Sequence, residues 1–192
     1  MKKILLISLA SLSAFSQTSN IFEPIDVFDL EHVSNPQISP NGDKVLYQRN
    51  FNDIMTDESF SNIWLIDYDG TNNRPITTGN FKDNSPKWSN KGDKFIFKSN
   101  REGNSQIFLY DLNNNSIQKL TNFQNSIEST QWSPDDNYIL FSSFIDSERD
   151  TLIEMPDKPK GAKWNDPPVE ISDLNYRYDS SGFRKPGEVQ FF

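Results

Sequence analysis

The chain has 192 residues, including 15 Phe, 6 Tyr and 4 Trp, but only one His and no Cys. This length predicts a single domain, and the aromatic content argues against a disordered chain. The absence of Cys excludes a disulfide framework and a Cys nucleophile, and the single His excludes a metal site with several His ligands. The net charge of −8 argues against nucleic-acid binding, because contacts to phosphates need a basic surface.

The chain begins with the layout of a secretory leader. Met1-Lys2-Lys3 is basic, and residues 4–15 form an apolar run that is broken only by Ser. Ala14 and Ser16 are small residues at the positions that a signal peptidase inspects. We therefore predict a signal peptide over residues 1–16, cleaved after Ser16, and a mature protein that is periplasmic or secreted and free of the membrane. The alternative is a short N-terminal anchor, although a bilayer span needs roughly 20 apolar residues.

Three stretches of the chain align without gaps. They are Ser39–Tyr47, Ser89–Phe97 and Ser133–Phe141, whose first residues are 50 and 44 positions apart. Each stretch follows a large apolar residue and opens with turn-forming residues, so it predicts a tight turn between two strands. A second shared piece, Ile63–Gly70 and Ile107–Asn114, predicts a further strand and a further turn. Each unit therefore holds about four strands and two tight turns.

The repeat length of about 45 residues is that of a β-propeller blade. We predict an all-β fold, a partial propeller of four-stranded blades with about three blades and the start of a fourth. A helical period is visible only over Ile25–Val33, so little helix is expected. A sandwich of meanders is the rival architecture, which the regular spacing disfavours. Aromatic residues at strand spacing are predicted to be core: Trp64, Trp88, Phe95, Phe97, Phe108, Trp132 and Phe141.

The predicted domain is an incomplete N-terminal propeller over residues 17–192. Its units span about residues 33–79, 80–122 and 123–155, and the next unit begins at about 169. Gly187–Phe192 matches Ser105–Leu109 and is the start of a strand. We expect this last strand to be exposed at a sheet edge and to promote dimers or aggregates, while the native oligomeric state is left open.

The repeat resembles the TolB/PD40 type, which occurs in Tol-associated periplasmic proteins and in the N-terminal propellers of S9 (prolyl oligopeptidase-family) serine peptidases. A more specific resemblance is carried by Met155–Trp164, Pro167–Glu170 and Leu174–Phe183, which look like the inter-blade segment of secreted acylaminoacyl-peptidase-like S9 members. The resemblance runs from about Asp26 to the last residue. Ser181 departs from the Gly or similar small residue that is usual there.

The resemblance implies a C-terminal α/β-hydrolase domain with a Ser on a G-x-S-x-G elbow, an Asp and a His. This sequence has no G-x-S-x-G, and its only His, His32, precedes the first repeat. No catalytic residue can therefore be carried over, and no hydrolysis is expected from these residues alone. We expect the substrate-gating propeller portion of a secreted S9 serine peptidase that acts on short peptides, with the catalytic domain absent here. The alternatives are a free-standing periplasmic TolB-like binding protein and a generic interaction propeller.

One loop is a candidate for contact with peptides. Residues 50–61 form a polar insertion that contains Asp53, Asp57 and Glu58, and these carboxylates could meet the amine of a peptide. The alternative is a solvated loop, which is common for charged runs. The other acidic turns lack the ligand spacing of a calcium loop, and we therefore predict no metal and no cofactor. These turns contain Asp67, Asp69, Asp135 and Asp136.

A second segment is left with two interpretations. Prolines exclude a helix or a central strand over Pro156–Pro168, so we predict an ordered loop between blades. Trp164 within it either plugs a gap against a neighbouring blade or contacts the catalytic domain.

Overall fold

The computed structural model describes residues 21–147, 156–165, 171, 174–179 and 182–192. The predicted leader, residues 1–16, lies outside these ranges, as do Met155, residues 166–170 and Ser181. The strands are β1 (His32–Ile38), β2 (Lys44–Asp53), β3 (Glu58–Asp67), β4 (Arg74–Pro75), β5 (Asn84–Trp88), β6 (Lys94–Ser99), β7 (Gln106–Asp111), β8 (Ser116–Lys119), β9 (Ile127–Trp132), β10 (Ile139–Asp146), β11 (Arg177–Tyr178), β12 (Gly182–Phe183) and β13 (Gly187–Phe191).

Helical structure is confined to one short segment within the described ranges. A 3-10 helix covers Pro24–Asp29, shorter and earlier than the period over Ile25–Val33 indicates. Glu23 and Asp26 form a capping box at its start, and proline's fixed φ suits the first helical position. No helix among the described residues has the length and apolar character needed to cross a bilayer.

The strands form three consecutive antiparallel sheets, and a small β11–β12 hairpin is separate. The first sheet has the order β1-β2-β3-β4, the second β5-β6-β7-β8 and the third β13-β10-β9. The first two sheets are meanders whose neighbouring strands follow one another along the chain, which is the topology of a propeller blade. In the third sheet β9 and β10 are consecutive, whereas β13 joins β10 after the β11–β12 hairpin. The predicted all-β, blade-type fold is confirmed, and the described sheets do not close into a ring.

The turn between the first two strands has the same chemistry in all three sheets. The Gly42 N–H donates to the Ser39 carbonyl over 2.9 Å, and Gly92 and Ser89 repeat this bond over 3.0 Å. In the third sheet Asp136, with a φ of 59°, stands where the others have glycine. Asp tolerates this left-handed conformation better than most residues. The predicted tight turns are therefore confirmed, and β1, β5 and β9 end at the predicted apolar residues.

The core lies between the sheets. One cluster joins the first and second sheets: Leu46, Ile63, Leu65, Phe95, Phe97, Phe108 and Tyr110. The other joins the second and third sheets through Ile96, Ile107 and Ile127, with partly buried Trp132, Ile139 and Phe141 against them. Most of the predicted aromatic core is confirmed, but Trp64 is only half buried and faces away from the second sheet.

The last strand corrects two predictions. β13 pairs with β10, with Ser142 opposite Phe191 and Phe144 opposite Val189. It is therefore the third strand of the third sheet, and does not start a fourth unit. Its residues repeat the alternation of β7, which has the same place in the second sheet. The proline-rich segment thus lies between the second and third strands of one sheet, and not between blades.

Candidate functional site

The three predicted acidic residues lie together at the tip of the β2–β3 hairpin. β2 ends at Asp53 and β3 begins at Glu58, and these two residues are cross-strand partners. Asp57 closes the turn with a φ of 54°, and its N–H donates to the Asp53 carbonyl over 2.9 Å. Three carboxylates are thus concentrated on one short connection.

The tip combines one anchored carboxylate with two exposed ones. One oxygen of Asp53 accepts the Met55 N–H over 2.8 Å, and the other accepts the Asn80 amide over 3.0 Å. Asn80 belongs to the connection between the first two sheets, so this bond ties the tip to the rest of the fold. Asp57 and Glu58 are exposed, and within the described part of the chain their carboxylates accept no hydrogen bond.

Two cavities flank the acidic tip, and Phe28 of the 3-10 helix lines both. The larger has a volume of about 360 Å³ and lies beside Asp53. Its other lining residues are mostly apolar: Ile25, Phe28, Asp29, Phe51, Asn52, Ile54 and Asn80. The smaller, of about 140 Å³, lies beside Asp57 and Glu58. A negative rim next to an apolar cavity suits a ligand with a cationic head and an apolar side chain.

A polar groove of about 420 Å³ lies between the first two sheets and near the tip. A ladder of side-chain amides lines it: Asn35 donates to Gln48 over 2.9 Å, and Gln48 donates to Asn50 over 2.6 Å. The remaining lining residues are Ser59, Phe60, Ser61, Lys82, Asn84 and Ser85. Amides and hydroxyls can both donate to and accept from an extended peptide backbone.

No prediction from the sequence covers this groove. A signal was available, because Gln48, Asn50 and Asn52 alternate along β2 and therefore share one face. The β-bulges in β1 and β5 that shape the groove are not visible in the pattern. They place Asn35 and Ser85 at positive φ, at matching positions of the two sheets.

The connection between second and third strands emerges at the same end of every sheet. In the first sheet this connection carries the acidic tip. In the third sheet it is the long segment over residues 147–186, which is closed at its base by a bond from the Ser147 N–H to the Pro186 carbonyl. The acidic tip and the two ends of this connection, Ser147 and Pro186, therefore lie at one end of the molecule. Trp164 in this segment is half exposed.

The remaining acidic turns lie at the opposite end, where turn donors hold their carboxylates. The side chain of Asn72 and the Lys44 ammonium lower the pKa of Asp67, and the Thr71 hydroxyl and N–H lower that of Asp69. Among the described residues no three His, Asp or Glu side chains gather in a way that could hold a metal ion. His32 is exposed at the start of β1, opposite Asn50.

The relatives of the chain include both peptidases and TolB proteins. It is 26% identical over 166 residues to the uncharacterized peptidase YuxL of Bacillus subtilis, covering 86% of this chain and 25% of that protein. It is 26% identical over the same length to dipeptidyl-peptidase 5 of Porphyromonas gingivalis, and this similarity covers 86% of this chain and 24% of that protein. It is 27% identical over 144 residues to the TolB homolog of Chlamydia abortus, and this similarity covers 74% of this chain and 33% of that protein.

Solved structures share the fold. The uncomplexed acylaminoacyl peptidase of Pyrococcus horikoshii superposes with a TM-score of 0.61 at 21% identity, covering 86% of this chain and 23% of that chain. The chain thus spans about a quarter of the length of the peptidases that it matches. Residues 27–159 match the PD40 family, described as the TolB beta propeller domain. Because this match covers most of the chain, the protein belongs to the TolB β-propeller domain family, and its peptidase relatives are of the S9 family.

Proposed function

We propose that the chain is the propeller portion of a secreted S9 serine peptidase that acts on short peptides. The observation that carries this proposal is the extent of the similarity to YuxL. It covers 86% of the chain, whereas residues 27–159 alone match the general propeller family. The similarity therefore includes residues outside the shared repeat. The leader-like residues 1–16 support export to the periplasm or beyond.

In this proposal the propeller selects peptides by shape and charge and performs no chemical step. The amide ladder offers donors and acceptors to an extended backbone, which needs both along its length. The carboxylates of Asp53, Asp57 and Glu58 attract the ammonium group of a free amino terminus. The adjacent apolar cavity accommodates the first side chain. A compact protein without an extended terminus offers neither the free backbone nor the amine that this groove and the acidic tip would bind.

The acidic tip can be tested in the full-length protein with its catalytic domain. We replace Asp53, Asp57 and Glu58 together with Asn, Asn and Gln and measure peptide hydrolysis. For peptides with a free amino terminus we expect KM to rise about tenfold, the loss of a charge-assisted bond worth roughly 1.4 kcal/mol. N-acylated peptides of the same sequence should be unaffected. The matched control, Asp69→Asn at the opposite end, should change the KM of neither peptide type. A KM for the free-amine peptides that is unchanged in the triple variant, or one that rises equally for both peptide types, would contradict the role.

The peptidase context has a direct test in the gene. We expect the reading frame to continue beyond the codon for Phe192 and to encode a G-x-S-x-G elbow followed by Asp and His. A stop codon there in a complete genome would remove the catalytic half of the proposal. It would favour a free-standing TolB-like binding protein. The 30% identity over 101 residues to the TolB homolog of Chlamydia caviae is the observation that keeps this second function open.

A further inference from the structure

The charged side chains around the acidic tip and the polar groove are separated by sign. Among the described residues, the two cavities at the tip are lined by four carboxylates and by no cation; the carboxylates are those of Asp29, Asp53, Asp57 and Glu58. The groove between the first two sheets has the opposite character, because Lys82 is the single charged residue in its described lining. This surface therefore has a negative end and a positive end.

The smaller cavity and the groove are continuous. Ser59 lines both of them, and its hydroxyl donates to the Asn52 side chain over 2.8 Å. Asn52 in turn lines both cavities at the tip. The walls of the groove are the first sheet on one side and residues 82–85 on the other. One extended ligand can therefore contact the acidic tip and the groove at the same time.

The position of Lys82 beside the first sheet is fixed by backbone hydrogen bonds. The Ser61 N–H donates to the Phe81 carbonyl over 2.9 Å, and the Asp83 N–H donates to the Ser61 carbonyl over 3.0 Å. The Lys82 N–H donates to the Asn100 side chain over 2.8 Å. Lys82 is exposed, and its ammonium group has no acceptor in the described part of the chain. The fold thus presents to the groove a cation whose donors are available to a ligand.

The spacing between the two charged ends corresponds to a short peptide. Lys82 pairs with Ser61, which lies three residues after Glu58 on β3. At about 3.3 Å per residue along a strand, these positions are roughly 10 Å apart. An extended peptide covers about 3.3–3.6 Å per residue, so about three residues span the distance.

We propose that the groove binds the free carboxylate of a peptide of about three residues whose free amine lies at the acidic tip. Lys82 donates to this carboxylate in a charge-assisted hydrogen bond. Asn50, the cross-strand partner of Ser61, brings the amide ladder beside the last residue of the peptide. The inference rests on the proposed function for the amine end, and it adds a residue that recognises the other end. The preferred ligand is therefore a short zwitterionic peptide, because a longer chain cannot place both of its termini on this surface.

Equilibrium binding to the full-length protein tests the carboxylate end. The elbow Ser, if one is encoded, is replaced by Ala so that no peptide is cleaved, and dissociation constants are measured by calorimetry. The ligands are tri-alanine, its carboxy-terminal amide, its N-acetyl form and hexa-alanine. We expect the amide to bind about tenfold more weakly than tri-alanine, because it cannot accept the charge-assisted bond from Lys82. Hexa-alanine should also bind more weakly, since only one of its ends can be placed.

The variant Lys82→Gln separates this residue from other cations of the protein. It should bind tri-alanine and the amide equally, and it should still prefer the free amine over the N-acetyl form. The matched control is Lys91→Gln, at an exposed lysine in the turn between β5 and β6, at the opposite end. It should keep both preferences, and circular dichroism verifies that both variants fold.

The outcomes distinguish failure of this inference from failure of the proposed function. Equal binding of tri-alanine and its amide by the protein with Lys82 would overturn the inference, as would a preference for the carboxylate that persists in Lys82→Gln. In either case a preference for the free amine would still support the acidic tip. A carboxylate preference without an amine preference would support Lys82 and contradict the acidic tip. Absence of binding for every peptide would contradict both.

Discussion

At the residue scale, a buried ion pair connects the first two sheets. Asp83 is fully buried, and the Arg101 guanidinium donates to both of its carboxylate oxygens over 3.0 and 2.9 Å. The guanidinium also lies 5.5 Å from the ring centre of Phe81 and 5.1 Å from that of Phe108. A buried charge is tolerated only when it is paired and hydrogen-bonded, so each partner depends on the other.

Asp83→Asn should lower the free energy of unfolding by about 3–5 kcal/mol, because it leaves the Arg101 charge without its counterion. Urea unfolding followed by tryptophan fluorescence measures the loss. The control is Glu102→Gln, which breaks the more exposed pair with Lys119 and should cost roughly 0–1 kcal/mol. Equal losses in the two variants would show that burial of Asp83 does not decide its importance.

The sequence does not indicate this pair. Asp83 follows a turn-like run, and Arg101 opens a polar hairpin loop 18 residues later. Both positions predict exposed residues, since charged side chains in loops are usually solvated. The pair is buried only because the connection from the first sheet crosses the end of the second sheet.

At the scale of the element, the turns between the first two strands of each sheet, which open with a Ser, are held by hydrogen bonds from their own side chains. In the third sheet the Ser133 hydroxyl and the Asn137 amide donate to Asp135 over 2.6 and 2.7 Å. These bonds lower the pKa of Asp135 to about 2. The turn residues are predictable from local chemistry, whereas the strength of this carboxylate network depends on the folded geometry of the turn.

The Asp135 turn should make stability depend on pH in a defined window. Its folded pKa lies below the ordinary 3.8, so its contribution is present above about pH 4 and is lost as the pH falls toward 2. The stability difference between the unaltered chain and Asp135→Asn should therefore shrink from pH 6 to pH 2. Thermal melting at each pH measures it. In the Asn137→Ala variant the pKa of the Asp135 carboxyl group, followed by NMR, should rise. A stability difference between the unaltered chain and Asp135→Asn that does not change with pH would contradict this account.

At the scale of the whole molecule, repeated joints hold the sheets in order. The indole of Trp132 donates to the Lys87 carbonyl, and Asp136 accepts the N–H groups of Asn90 and Lys91 over 2.7 and 3.0 Å. These bonds join the turn region of the second sheet to that of the third. Apolar packing between the sheets provides the buried contact area, and these few polar bonds set the alignment of one sheet on the next.

Trp132→Phe should cost about 1–3 kcal/mol in the free energy of unfolding, because it leaves the Lys87 carbonyl without its donor while preserving an aromatic ring. Denaturant unfolding measures the change. Trp164→Phe is the matched control: its ring is 45% exposed in the long connection, and it should stay within about 0.5 kcal/mol. A larger loss in the control would indicate that Trp164 packs against the fold.

The sequence by itself determined the repeating structural unit of this protein. The turn residues after Ile38, Trp88 and Trp132, and the alternation in the strands beside them, predict the strands and turns of each unit. This succeeds because the signals are local: turn conformations and side-chain alternation depend on residues a few positions apart. Even the acidic tip follows from a short polar interruption between two strands.

Only the tertiary structure decided which distant segments meet. It brought β13 back to β10 across some forty residues, aligned the amides into a groove, and buried Asp83 against Arg101. These outcomes depend on contacts between residues far apart in the chain, and a local pattern specifies that a face is apolar without specifying what covers it.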